Sequence, residues 1–125
     1  MKNLQSLFIL SLFLACKKDA ATEKDREVPV ITLFSPVEGH TYTSGQNIKI
    51  AGTITDNNFI AEVHIVLTNN STGGDILHAH MYAQGDSTSF EHDIPATAGV
   101  DYKVVITAVD RNANQAYARV LFSCN

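Results

Sequence analysis

The stretch that decides the fold is AEVHIVLT, residues 61–68. Its odd-numbered side chains are all apolar, whereas the even-numbered ones include Glu62, His64 and Thr68. Successive side chains of a β-strand point to opposite faces of a sheet, so this alternation predicts a strand with one buried face and one exposed face.

The same two-residue period recurs on both sides of this stretch, and the 3.6-residue period of a helix is absent. Turn-forming residues separate the periodic segments, among them Asp56-Asn57-Asn58 and Gly85-Asp86. The predicted strands are, in chain order, residues 31–34, 47–55, 61–68, 76–83, 90–94, 102–109 and 116–123. This number and spacing predict an all-β fold, a seven-stranded antiparallel sandwich of the immunoglobulin or fibronectin type III kind.

The first fifteen residues have the pattern of a signal peptide. A short basic start is followed by an apolar run, residues 4–15, that is too short to cross a bilayer of about 30 Å. The run ends in Phe-Leu-Ala-Cys at residues 13–16, which resembles the lipobox of bacterial lipoproteins. The resemblance implies cleavage after residue 15 and attachment of lipid, palmitate included, to Cys16.

A polar, mostly charged segment follows this cysteine. Residues 16–27 contain no large apolar side chain after Cys16, so we expect a flexible tether between the lipid and a folded domain at residues 28–125. Acyl chains would hold the protein on a membrane without a spanning helix. Lys17 after the cysteine implies, by resemblance to lipoprotein sorting in Gram-negative bacteria, the outer membrane. The sequence leaves open whether the domain faces the periplasm or the outside.

Charge and motif content exclude other classes of protein. The chain carries 9 Lys and Arg against 13 Asp and Glu, a formal net charge of −4, with no basic cluster. It therefore lacks the positive surface that nucleic-acid binding requires. It also lacks a nucleophile elbow, a P-loop, a dinucleotide fingerprint and a paired-carboxylate motif, so we expect no enzymatic activity. With Cys16 lipidated, Cys124 has no partner for a disulfide within the domain, and we expect it to be half-buried in the last strand.

Two segments resemble bacterial Ig-like domains. Residues 29–52, with Pro36, Gly39 and Gly45, are similar to the opening strand and turns of those domains. Residues 99–102 and 108–114 are similar to their closing half, in which a Tyr begins a strand and Ala-x-Asp-x-x-Gly-Asn forms a turn. Ala113 occupies the usual glycine position, so we expect its backbone either to avoid positive φ or to adopt it at an energetic cost.

Three histidines form one candidate site. If residues 69–74 close a hairpin, parity places His64 opposite either His78 or His80, and all three lie on the outer face. Three imidazoles can bind Zn²⁺ or Cu²⁺. The competing interpretation is that histidine serves there as an ordinary polar residue. No carboxylate is expected on the same face to support the ligands.

A second candidate site takes Ca²⁺. Asp110, Asn112 and Asn114 alternate as the oxygen ligands of calcium loops do, and Asp56 is the one candidate partner from another loop. The competing interpretation is turn formation, since Asp and Asn hydrogen-bond their own backbone.

These features favour a non-catalytic, lipid-anchored module of the cell envelope that binds a protein or glycan partner at an edge strand or loop. The alternative is a metal-binding envelope lipoprotein that uses the three histidines. No cofactor is required by either hypothesis, with Zn²⁺, Cu²⁺ or Ca²⁺ as the candidate ions.

Overall fold

Two long strands organise the domain. The computed structural model describes residues 23–125, which form β1 (Val30–Ser35), β2 (Thr41–Tyr42), β3 (Asn47–Asn69), β4 (Asp75–Pro95), β5 (Asp101–Asp110) and β6 (Gln115–Cys124). In this part of the chain no helix is both long and apolar enough to cross a membrane. The predicted signal peptide, the lipidation site Cys16 and the first part of the tether lie outside the described residues.

The two long strands carry the sheet from one layer to the other. The first half of β3, residues 47–55, pairs with β1 and with the second half of β4. The second half of β3, residues 60–69, pairs with the first half of β4 and with β5, which in turn pairs with β6. The predicted all-β, Ig-like sandwich is confirmed.

Two details differ from the prediction. The segments predicted as separate strands, 47–55 with 61–68 and 76–83 with 90–94, are the two halves of β3 and of β4, which reduces the seven predicted strands to five. The short strand β2, which the sequence did not predict, is the sixth strand of residues 23–125. Register shifts on β3 between Thr55 and Glu62 bend the ladder without ending it, which is what β-bulges do. In addition, β2 pairs with β6 in parallel, so the sheet is mixed and not purely antiparallel.

The bend also changes which side chains of β3 face the core. Even-numbered residues are buried before it and odd-numbered residues after it, because the bulge shifts the alternation by one position. Both halves contribute to one core, whose large buried members include Ile48, Ile50, Ile54, Val63, Ile65, Leu67, Phe90, Tyr102, Ile106 and Phe122. Cys124 is fully buried at 3% exposure and not half-buried, because it ends β6 against this core.

The sandwich has two ends that the strand pairing defines. Val30 pairs with Thr55 and Ile60 pairs with Asp110, so the start of β1, the bend of β3 and the β5–β6 turn share one end, here called the tether end. Segments 36–46, 70–74 and 96–100 lie at the other end, here called the far end.

In the β5–β6 turn at the tether end, Ala113 adopts the second of the two expected alternatives, positive φ at an energetic cost. Ala113 has φ 66°, so the backbone keeps the left-handed conformation that glycine would adopt there. The hydrogen bonds from Ala113 N to Asp110 O and from Asp110 N to Asn114 O close this tight turn and hold that conformation.

Candidate metal sites

The histidine cluster is defined as Glu62, His64 and His80. It lies on the solvent-facing side of the layer formed by β4, β3, β5 and β6, here called the outer face. His64 and His80 are directly opposed in the ladder, and their ring centroids are 3.8 Å apart. Both Nε2 atoms approach the same carboxylate oxygen, Glu62 Oε1, at 2.5 Å from His64 and 2.6 Å from His80. Each side chain remains about one third exposed.

Hydrogen bonds set the protonation of this cluster. Since a carboxylate only accepts, both imidazoles present N–H at Nε2 to Glu62. The bond from His64, followed by the bond from His80, lowers the pKa of Glu62 below its ordinary value. On the other side of the His80 ring, the Tyr82 hydroxyl lies 3.0 Å from Nδ1 and donates to it in this tautomer.

The structure separates the three predicted histidines. His80 takes the position opposite His64, which is the second of the two predicted registers. His78 is opposed to Val66, and its ring centroid is 5.8 Å from that of His64, so its nitrogens are not among the converging ligand atoms.

The expectation that no carboxylate shares this face is wrong. Glu62 lies two residues before His64, and residues two apart along a strand share a face. The signal that could have found Glu62 was therefore the same parity that placed the histidines.

The aspartate cluster, defined as Asp25, Asp56 and Asp110, forms at the tether end. Asp110 is the last residue of β5, Asp56 lies at the bend of β3, and Asp25 belongs to the segment before β1. One carboxylate oxygen from each lies within 4.8 Å of the others. Arg111 holds the bend against the turn, because its N–H donates to Phe59 O and its guanidinium covers the Phe59 ring at 3.9 Å.

Backbone amides and asparagine side chains orient these carboxylates. Asp110, 2% exposed, accepts from Asn112 N and Asn114 N at 2.8 Å and from Asn114 Nδ2 at 2.6 Å. Asp56 accepts from the backbone N–H groups of residues 58 and 59. The predicted ligands Asn112 and Asn114 thus act as donors to a carboxylate in this geometry.

Asp25 is the member of the aspartate cluster that the sequence did not indicate. Asn57 Nδ2 donates to its Oδ1 at 3.0 Å, and so does Glu27 N. These two bonds, the Asn57 bond first, lower the pKa of Asp25 below its ordinary value, which keeps the carboxylate ionised. The Asn114 amide also donates to Asp25 O, so this part of the predicted tether lies against the domain.

Two oxygens of the aspartate cluster have no donor among residues 23–125. Asp25 Oδ2 and Asp56 Oδ1 are inaccessible to solvent and make no hydrogen bond within this part of the chain. A buried carboxylate oxygen without a partner is unfavourable, and Ca²⁺ prefers carboxylate oxygens as ligands. The geometry fits an oxygen-ligated divalent cation between the three aspartates.

A row of solvent-facing side chains, partly or fully exposed, continues the histidine cluster across the outer face. His64 is opposed to Thr107 on β5, and Thr107 is opposed to Tyr117 on β6. Tyr117 is 67% exposed. Tyr82, which lies on β4 opposite Glu62 of β3, is 64% exposed. Two exposed aromatic rings therefore flank a polar strip on the outer face.

Comparison with known proteins identifies the fold. The sequence profile described as "Bacterial Ig domain" matches residues 29–108. The fibronectin(III)-like modules of Clostridium thermocellum CbhA superpose with a TM-score of 0.50 at 18% identity, over 76% of this chain and 45% of that one. A superoxide reductase (neelaredoxin) from Ignicoccus hospitalis gives 0.53 at 6% identity, over 78% and 80%.

A third structure, OgpA from Akkermansia muciniphila, gives a TM-score of 0.51 at 9% identity, over 82% of this chain and 29% of that one. This chain thus spans less than half of the CbhA and OgpA chains. At these identities the likeness extends to the fold alone. No curated protein matches the sequence.

Proposed function

The chain belongs to the bacterial Ig domain family, and from this premise we propose that it is a non-catalytic binding module held on the bacterial cell envelope by lipid on Cys16. Its partner is an envelope protein or glycan. The membrane is the outer membrane, as Lys17 after the lipidated cysteine favours.

One observation carries the proposal, namely the position at which the tether meets the domain. Asp25 is hydrogen-bonded to Asn57 and Asn114 at the tether end. Asp25 lies nine positions after Cys16, and an extended chain spans at most about 3.5 Å per residue, so the domain lies within about 30 Å of the lipid. The lipid is thus attached through the tether end, which leaves the far end and the outer face clear of the attachment point.

The outer face is the proposed contact surface. Exposed tyrosines provide a large contact area at a low cost in conformational entropy, and they are enriched where proteins bind partners. Tyr82 and Tyr117 lie on the first and last strands of the four that form this face, β4, β3, β5 and β6. Adjacent strands are about 4.8 Å apart, so the two positions are separated by about 14 Å across the strands. They are also offset by two residues along the strands, because Tyr82 is level with Glu62 and Tyr117 is level with His64.

Three measurements test this function. Mass spectrometry of the native protein should find an acylated N-terminal cysteine, and Cys16→Ala should move the protein from the membrane to the soluble fraction. A photo-crosslinking residue in place of Thr107, on the outer face, should give a defined envelope adduct, whereas one in place of Glu91, exposed on the other layer, should not. Adducts of equal yield at both positions would contradict the assigned surface.

We also propose that Ca²⁺ binds the aspartate cluster and fastens the tether to the domain. The two donor-less oxygens of Asp25 and Asp56 support this ion, since a cation would satisfy both. Lys24 and Arg26 flank Asp25 and are exposed, so they are trypsin sites next to the cluster.

Limited proteolysis distinguishes calcium binding from a metal-free tether. Ca²⁺ should slow tryptic cleavage after residues 24 and 26 relative to cleavage after Lys17 and Lys18, which serve as the internal control. Asp56→Asn should abolish this protection, and Asp75→Asn should retain it. Cleavage ratios that do not change with Ca²⁺ would exclude the calcium proposal and leave the proposed binding function intact.

A further inference from the structure

We propose that the histidine cluster binds a single divalent transition-metal ion, with Zn²⁺ as the ion that its ligands fit. The ligands are Nε2 of His64, Nε2 of His80 and one carboxylate oxygen of Glu62, all within 4.8 Å of one another. Two imidazole nitrogens and a carboxylate are a ligand set that binds zinc. This activity goes beyond the proposed binding function and does not depend on it.

The distances leave room for the ion after a small adjustment. Ligand atoms at about 2.0–2.1 Å from a tetrahedral zinc are about 3.3 Å from one another. His64 Nε2 and His80 Nε2 are now 2.5 and 2.6 Å from Glu62 Oε1. Each pair must separate by less than 1 Å, which a small rotation of the Glu62 side chain supplies.

Hydrogen-bonded strands carry all three ligands, Glu62 and His64 on β3 and His80 on β4. The second half of β3 is paired on both sides, with β4 and with β5, and His64 itself has partners on both strands, His80 and Thr107. Ligands fixed on paired strands lose little conformational freedom when the ion binds, which favours affinity.

Tyr82 completes the site as a positioning residue. When the metal takes the lone pair of His80 Nε2, the ring proton resides on Nδ1. It is then donated to the Tyr82 hydroxyl, which lies 3.0 Å away. Such outer hydrogen bonds orient metal-ligating histidines and raise their basicity. Tyr82 does not touch the ion.

The site is open on one side. The side chains of His64, His80 and Glu62 are 31%, 30% and 35% exposed, so solvent reaches the ligand atoms. Three protein ligands leave the fourth zinc position to water or to a donor atom from a bound molecule.

His78 lies outside the proposed ligand set. It lies on the same outer face, yet it is opposed to Val66 and its nitrogens are not within the converging group. His78 is therefore the matched control, an outer-face histidine two residues from His80 that should contribute nothing to the affinity.

Zinc titration of the full chain in detergent, with Ca²⁺ present at saturation to occupy the aspartate cluster, tests the proposal. A chromophoric zinc chelator as competitor should report one Zn²⁺ per chain. His80→Ala and Glu62→Gln should each weaken binding at least 10-fold, and His78→Ala should leave it within 2-fold. Tyr82→Phe should weaken binding about 10-fold without changing the stoichiometry.

Circular dichroism of each metal-free variant checks that it is folded, and zinc-induced shifts of the imidazole signals of His64 and His80 give a second readout in the unmodified protein. Loss of binding in His78→Ala with none in Glu62→Gln would overturn the proposal in favour of three histidine ligands. Zinc affinity unchanged in both His80→Ala and Glu62→Gln, or no zinc binding to the unmodified chain, would overturn it outright.

Discussion

The histidine cluster and the aspartate cluster gather similar numbers of ligand atoms by different means. The ligands of the histidine cluster come from two adjacent strands and are aligned by one ladder register. The ligands of the aspartate cluster come from the tether, the bend of β3 and the end of β5, which are far apart in the sequence. The first cluster follows from strand pairing alone, and the second exists only when the whole tether end is assembled.

The two clusters also differ in what they do for the fold. The carboxylate of Asp110 is buried and accepts the N–H groups that close the β5–β6 turn. His64 and His80 are partly exposed, and among the described residues their side chains bond to Glu62 and Tyr82 alone. The aspartate cluster therefore contributes to the stability of the fold, whereas the histidine cluster lies on the surface of a fold that does not depend on it. Unfolding free energies of variants in each cluster distinguish these two cases.

The largest expected effect is on the aspartate cluster. Asp110→Ala removes the acceptor of three hydrogen bonds at a buried position, and we expect a loss of about 2–4 kcal/mol in the free energy of unfolding. The variant also relieves repulsion among the three carboxylates, which offsets part of this loss. Urea unfolding followed by circular dichroism measures the difference.

Asp101→Ala is the matched control, because Asp101 is an exposed aspartate at the other end of the same strand. Its loss should stay within about 0.5 kcal/mol. Equal effects of the two variants would mean that the buried carboxylate is not part of the framework.

The next largest effect is the stabilisation of each cluster by its own ion. A ligand at 100 times its dissociation constant stabilises the folded state by about 2.7 kcal/mol, which in a domain of this size shifts Tm by on the order of 10 °C. Stabilisation by Ca²⁺ should be lost in Asp56→Asn and kept in His80→Ala, and stabilisation by Zn²⁺ should show the opposite pattern. Thermal melts of the three proteins with each ion provide the test, and a variant that loses both responses would argue against two independent sites.

The same contrast explains what could be predicted from the sequence. Period-2 alternation predicted the sandwich, and parity placed His64, His78 and His80 on one face, because both depend on local pattern. The choice between two registers required the bulged geometry near Leu67 and Thr68, which alternation does not specify. Glu62 was visible in the same pattern and was overlooked.

The aspartate cluster could be predicted only in part. Asp110 and Asp56 were accessible because each follows a recognisable strand. Asp25 was not, because a charged segment without apolar residues gives no indication of where it contacts the domain. The continuity of β3 and β4 was also missed, since Asp56-Asn57-Asn58 and Gly85-Asp86 have the composition of turns yet lie within bent strands.

A smaller effect is expected at the turn that holds Asp110. Ala113 has φ 66°, a conformation that costs a residue with a Cβ about 1–2 kcal/mol and costs glycine much less. Ala113→Gly should therefore stabilise the domain by up to about 1 kcal/mol once the greater freedom of glycine in the unfolded chain is included. Ala116→Gly, in β6, should destabilise it. A loss of stability in both variants would contradict the left-handed turn.

The smallest effect concerns the ionisation of Glu62 in the metal-free histidine cluster. The bonds from His64 and His80 lower its pKa, so the carboxylate should titrate below the ordinary 4.5. Because the folded-state pKa is below the unfolded value, the stabilisation from these bonds is present above that pH and is lost as the pH falls through the folded-state pKa. The carboxyl carbon shift of Glu62, followed by NMR from pH 7 to pH 2.5, should give the lower midpoint.

His64→Ala and His80→Ala should each move that midpoint back towards 4.5, with the larger movement in His64→Ala, whereas His78→Ala should leave it unchanged. A midpoint at 4.5 in the unmodified protein would mean that, in solution, the histidines do not hydrogen-bond to the Glu62 carboxylate. Of the two clusters, only the aspartate cluster would then have its side chains oriented before a metal binds.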